Sequence, residues 1–265
     1  MRSAQRRQWE RLGYLVVEDV LAAAETAVLL DAVDAVTARS PAFIEQGNGA
    51  AHAFKVVNAV AQTDALDPLT DHPRVFPLLL ELLGPYLQVL GTEIFLRTPG
   101  GGSDPIVPWH TDGGPTLGTF LPRRGNPALQ LKVQFFLTDL TEAGHGNFML
   151  VPGSHRVALP AERRETTATP PGAVQLRVRA GDAVIFPWSL WHAVAPNHGT
   201  ATRRSVTLRY GQLWSRPYDY ERLPAETLAR MTPRRRRLFG DLGPAPDPVA
   251  FYYPDEAEQL RLMTT

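Results

Sequence analysis

Apolar residues along this chain change their spacing near residue 84. Before it they recur at helical intervals. Residues 5–12 predict a short helix and Gly13-Tyr14-Leu15-Val16-Val17 a short strand. Asp19 stands where it would cap the next helix, which the Ala and Leu pattern carries from Leu21 to Val36. A loop rich in Pro, Gly and Asn over 40–53 leads into a strand at Phe54-Lys55-Val56-Val57-Asn58. His72 to Leu83 predicts a second helix, with Pro73 in its first turn and Gly84 as its stop. After Gly84 the apolar runs are short and broken by Gly, Pro and Asp: 86–97, 106–112, 129–138, 147–151, 174–179, 183–187, 189–195 and 203–213. That punctuation predicts an all-β sandwich or barrel. Residues 113–128 and 155–172 are long connections, and a connection of that length inside a domain is usually functional. Beyond Pro224 the pattern turns helical again, at Met231–Phe239 and Asp255–Met263.

The 265 residues are expected to form one domain: a helical part over 1–85, a β core over 86–213 and a helical extension over 214–265. Charge sums to zero, so neither nucleic acid nor an anionic membrane is expected as partner. The run Arg234 to Arg237 is expected to be a solvated helix face. Absence of cysteine excludes disulfides and thiolate chemistry. Without an apolar leader or a membrane-length run, a soluble cytoplasmic protein is expected. Of 27 basic residues only Lys55 and Lys132 are lysine. A compact ammonium on a flexible stem suits a tight pocket in a way arginine does not.

The candidate chemistry centres on Trp109-His110-Thr111-Asp112-Gly113. Two residues apart on a strand, His110 and Asp112 point the same way. A second histidine would complete a 2-His-1-carboxylate set, which leaves positions open on non-heme Fe(II). His192, on the apolar stretch 183–195, is the candidate; alone it would read as a satisfied core residue. In Arg203-Arg204-Ser205-Val206-Thr207-Leu208, alternation puts Arg203, Ser205 and Thr207 on one face. A guanidinium with a hydroxyl two residues on can hold a carboxylate. Arg204 competes with Arg203 for that role. Gln130, Lys132 and Gln134 share one face of a strand, either a cavity wall or a solvated surface.

Taken together, His110-x-Asp112, His192 and Arg203-x-Ser205 resemble an Fe(II)/2-oxoglutarate-dependent dioxygenase of the phytanoyl-CoA dioxygenase family. Gly13 to Val17, and Gly146-Asn147-Phe148-Met149-Leu150-Val151-Pro152-Gly153-Ser154-His155, are similar to two further stretches of it. The resemblance runs from about residue 9 to 213. It implies a double-stranded β-helix, a cupin-like jelly roll, with helices packed outside. It implies iron on His110, Asp112 and His192, and 2-oxoglutarate with its distal carboxylate on Arg203 and Ser205. Lys55 and Gln134 are then further cosubstrate contacts, and His155 belongs to a loop motif instead of the metal. The implied reaction couples oxidative decarboxylation of 2-oxoglutarate by O2 to hydroxylation, desaturation or ring formation at an unactivated C–H bond. Halogenating relatives carry Gly or Ala in place of the carboxylate, so Asp112 argues against halogenation.

Trp109, Phe120, Trp188, Lys132 and the 113–128 connection are the expected substrate and lid residues. Bulky aromatics with a few polar groups suit a small organic molecule, in bacterial relatives often a specialised metabolite. Two rival readings remain. A cupin-like metal enzyme that dispenses with 2-oxoglutarate would not need Arg203-x-Ser205. A catalytically silent jelly-roll binding protein would not need the triad.

Overall fold

The computed structural model describes residues 1–39, 43–44, 52–112, 128–157, 167–243 and 256–264. Its strands are β1 (Leu15–Val17), β2 (Phe43–Ile44), β3 (Ala53–Val57), β4 (Leu87–Arg97), β5 (Val107–His110), β6 (Gln130–Phe136), β7 (Phe148–Leu150), β8 (Val174–Gln175), β9 (Ala183–Pro187), β10 (His192–Val194) and β11 (Arg203–Gln212). They form a seven-stranded sheet in the order β1-β9-β6-β11-β4-β3-β2 and a four-stranded sheet in the order β5-β10-β7-β8. Every pairing is antiparallel, and the two sheets face each other as a jelly roll.

Alternation along β11 shows how one strand serves two layers. Val206, Leu208 and Tyr210 point outward into the main core. There they meet α2 (Ala23–Arg39) through Leu29, Val33 and Val36, and α3 (Phe76–Leu83) through Leu79 and Leu83. Each such side chain contributes roughly 1.5–3 kcal/mol by leaving water. The buried Tyr210 hydroxyl donates to the Thr70 carbonyl at 2.9 Å. On the inward face, Arg203, Thr207 and Arg209 line the space between the sheets, and Ser205 is buried beside them. Phe136, Phe148, Val184 and Phe186 pack a second cluster there. The outer face of the small sheet carries a third, built on Trp109, Met149 and Trp191.

Helix boundaries depart from the expected ones. Helix α1 (Ser3–Leu12) ends at Gly13, whose φ of 79° places it in the left-handed region. Asp19 does not cap α2. Its own φ is 51°, its N–H donates to Asp182 Oδ1 at 2.9 Å, and the helix starts at Ala23. Glu25 takes the capping part instead, accepting the Ala22 N–H at 2.8 Å. Pro73 lies in a turn before α3, and Pro77 occupies the first turn of that helix. The segment Asp64–Asp71 is a 3-10 helix, which the apolar spacing did not announce.

Beyond the sheets follow α4 (Ala225–Arg230), α5 (Pro233–Leu238) and α6 (Glu256–Thr264). The arginine run on α5 is not a solvated face. Arg235 pairs with Asp71 at 2.7 Å, Arg236 with Asp241 at 2.6 Å, Arg234 donates to Leu262 O, and Arg237 is buried on Leu87 O. Arg234, Arg235 and Arg237 tie α5 to partners distant in sequence, while Arg236 is exposed and pairs locally.

Candidate metal centre and its cavity

Strands β5 and β10 are neighbours, and their register sets His192 directly across from His110. Both imidazoles point inward, with ring centroids 4.2 Å apart. Each uses Nδ1 on a carbonyl two residues back: His110 on Pro108 O and His192 on Leu190 O, both at 2.8 Å. A carbonyl only accepts, so Nδ1 carries the proton and Nε2 keeps its lone pair for a metal. Asp112 follows β5, anchored by its N–H on Trp188 O at 2.9 Å. Its Oδ1 lies 4.0 Å from His110 Nε2 and its Oδ2 lies 3.8 Å from His192 Nε2. One ligand atom from each of the three residues falls within 4.8 Å of the others, the sole such group among the described residues. Asp112 Oδ2 is buried with no hydrogen-bond partner. A buried, unsatisfied carboxylate oxygen beside two imidazole lone pairs fits a divalent cation.

The carboxylate sits in a relay of charges that crosses the large sheet. Lys132 Nζ lies 2.7 Å and Arg209 Nη1 3.7 Å from Asp112 Oδ1. Arg209 grips Glu93 with Nε at 2.8 Å and Nη2 at 3.2 Å, and Lys55 Nζ reaches Glu93 at 2.7 Å. Burial alone would raise both carboxyl groups. Lys132 and Arg209 outweigh it at Asp112 and hold that group well below the carboxylate range. Arg209 and Lys55 bring Glu93 down to about 2. Burial, with His110 beside it, lowers His192 and keeps its imidazole neutral, the form that binds metal.

The triad opens on a cavity of 280 Å³ that reaches inward to Arg203. Arg203 is 2% exposed; Nη1 donates to Gly146 O at 2.5 Å, Nη2 approaches Ser205 Oγ at 3.4 Å, and the guanidinium covers Phe136. Gln134 Nε2 donates to the same Ser205 oxygen at 3.0 Å. Arg204 points to the other side and pairs with Asp34 at 2.6 Å. Gln134 and Lys132 are buried in the wall, so their strand face is not solvated.

Two expected substrate residues lie elsewhere. Trp109 is fully buried on the far side of the small sheet, edge-on to Trp191, because alternation turns residue 109 away when 110 faces in. Trp188 is buried outside the cavity lining and contributes through its backbone carbonyl to Asp112. Lys55 lines the cavity, with its ammonium on Glu93. Phe120 and the connection 113–127 lie outside the described residues. Unforeseen wall residues are Phe95, Arg97 and Arg209, with Glu93 buried behind them as the shared anion of Lys55 and Arg209. Two signals were available: extending the β11 alternation one step reaches Arg209, and Glu93 is a lone carboxylate in an apolar strand.

Similarity to known proteins follows the same outline. The sequence model described as Phytanoyl-CoA dioxygenase matches residues 9–205. The dioxygenase cdmA of Talaromyces verruculosus is 26% identical over 201 residues, which cover 74% of this chain and 65% of that protein. This chain therefore spans just under two thirds of that relative. Among solved structures, the non-heme α-ketoglutarate-dependent epimerase SnoN from nogalamycin biosynthesis superposes with a TM-score of 0.64 at 26% identity, covering 79% of this chain and 82% of that one. HygX of Streptomyces hygroscopicus, solved with nickel and 2-oxoglutarate, gives a TM-score of 0.68 over 86% of this chain and 94% of its own; at 18% identity it speaks for the fold.

Proposed function

The chain belongs to the phytanoyl-CoA dioxygenase family of non-heme iron, 2-oxoglutarate-dependent oxygenases, and we propose that it oxidises an unactivated C–H bond of a small organic molecule, a specialised metabolite. One observation carries the reading. His110 Nε2, His192 Nε2 and Asp112 face a single cavity whose inner end is closed by Arg203. In this reading His110, Asp112 and His192 hold iron, and Arg203 with Ser205 takes the distal carboxylate of 2-oxoglutarate. Iron there supplies the oxidising power that couples decarboxylation of 2-oxoglutarate by O2, giving succinate and carbon dioxide, to C–H cleavage.

The chain's own part is positional. The Nδ1 bonds to Pro108 O and Leu190 O fix both imidazoles. Gln134 holds Ser205 Oγ beside Arg203, so the hydroxyl proton is available to an incoming carboxylate. Phe148 and Phe186 wall the cavity and exclude water from the reacting centre. Asp112 fills the place that halogenating relatives leave to chloride, so oxygen insertion, desaturation or ring formation is the outcome. A small-molecule substrate accords with the nogalamycin pathway of SnoN. Among the described residues no helix is long and apolar enough to cross a membrane.

The test is anaerobic. Fe(II) and 2-oxoglutarate added to the protein give a weak visible charge-transfer band, which Arg203→Ala weakens, and oxygen then releases succinate in the presence of a substrate metabolite. No band from the wild-type protein refutes the reading.

A further inference from the structure

The two oxygens of Asp112 are treated unequally. Oδ1 takes the ammonium of Lys132 at 2.7 Å and has Arg209 behind it at 3.7 Å. Oδ2 is buried without a partner and faces His192 Nε2. A carboxylate can bind an ion through one oxygen or through both. In a 2-His-1-carboxylate site the second mode would take up a position that a bidentate cosubstrate needs. We propose that Lys132 is a positioning residue: by holding Oδ1 it keeps Asp112 a one-oxygen ligand through Oδ2 and leaves the neighbouring metal position to 2-oxoglutarate. The inference rests on the oxygenase reading above.

Lys132 is built for the task. It stands on the inner face of β6, paired in register with Arg209 on β11 and Phe186 on β9. The Phe186 ring lies under its ammonium at 5.8 Å, and the residue is 8% exposed. Arg209 is committed to Glu93 by two bonds, so the shorter contact to Asp112 falls to Lys132. Arginine carries nearly every other positive charge in this chain. A planar fork at residue 132 would present two donors where one carboxylate oxygen is to be held, and the unbranched ammonium presents a point charge.

The proposal separates metal binding from cosubstrate binding. Lys132→Met removes the bond and frees Oδ1 to turn toward the metal. Anaerobic titration of this variant should give an Fe(II) dissociation constant within about threefold of wild type. The 2-oxoglutarate dissociation constant should rise about tenfold or more, with the charge-transfer band shifted or lost. Lys132→Arg, which keeps the charge but presents a fork in place of a point donor, should recover only part of the cosubstrate affinity. Lys132→Gln, too short to reach Oδ1, should behave as Lys132→Met does and serves in its place if that variant loses its native near-UV spectrum. Unchanged band and 2-oxoglutarate affinity in both shortened variants would overturn the proposal. So would Fe(II) affinity falling in step with cosubstrate affinity, since that marks a merely structural lysine. A wild-type protein with no band would overturn the oxygenase reading itself.

Discussion

The imidazole of His155 lies against the α-carbon of Gly13, so close that a β-carbon on Gly13 would stand 2.2 Å from Nδ1. Two stretches far apart in sequence meet there. The contact continues through Gly153 N–H to Leu12 O at 2.8 Å, and through Ser189 Oγ to His155 O and Trp191 N–H to Ser154 Oγ, both at 2.9 Å. The N-terminal helix is thereby joined to the turn that precedes His192.

Gly13→Ala should destabilise the protein by about 2–4 kcal/mol, combining the left-handed backbone penalty with the steric conflict. Urea unfolding measures it. A double variant with His155→Ala should recover the steric share and leave the backbone share. Simple additivity of the two single changes would contradict the contact.

Burial, with Arg156 nearby, brings the His155 imidazole down to about 4. The unfolded chain protonates this group near its ordinary 6.5, before the folded chain does. Stability from neutral His155 is therefore complete above about pH 6.5 and is lost as pH falls from there toward 4. The slope is at most about 1.4 kcal/mol per pH unit. Wild type minus His155→Phe, followed by urea midpoints from pH 7.5 to 4.5, should show it; parallel curves would speak against a buried neutral imidazole.

Adjacent arginines on β11 should give opposite results. Arg203→Ala removes a buried guanidinium from the cavity end and should raise the KM for 2-oxoglutarate about 100-fold. Arg204→Ala breaks a half-exposed pair with Asp34 and should cost less than about 1 kcal/mol of stability, with KM unchanged. A larger effect on KM from Arg204 than from Arg203 would reverse the assignment.

Glu93→Gln leaves Lys55 and Arg209 without their shared anion, and stability should drop by about 2–4 kcal/mol at neutral pH. Because Glu93 is held near 2, its contribution persists above its ordinary pKa and is lost only as pH falls through the acid range toward 2. Thermal melts of wild type and variant should therefore converge toward acid pH. A constant difference down to pH 2.5 would argue against the ion-paired carboxylate.

Strands were legible because short apolar runs are broken by turn residues, as 183–187 and 203–213 were to within a residue. The inward direction of Arg203 and the outward direction of Arg204 followed from the same period of two. Helix starts were less legible: Asp19 and Pro73 carry the right chemistry for a helix start, but a tertiary contact with Asp182 takes the Asp19 N–H, and Pro73 falls in a local turn closed by Val75 N–H on His72 O. Long-range pairing was illegible from spacing alone, and Glu93 and Arg209 gain their meaning only from it. Trp109 shows the limit of residue type. An aromatic beside a ligand looks like a cavity wall until the strand's alternation is applied to it.

β11 places a hydrophobic row on one face and a polar row on the other. A slip of one residue in its pairing with β4 and β6 would send Arg203, Thr207 and Arg209 into the helix-packed layer and Val206, Leu208 and Tyr210 into the cavity. No such misregistered chain could bury its charges. The strand therefore proofreads the site as it folds: a molecule stable enough to persist has already set its cavity side chains in place.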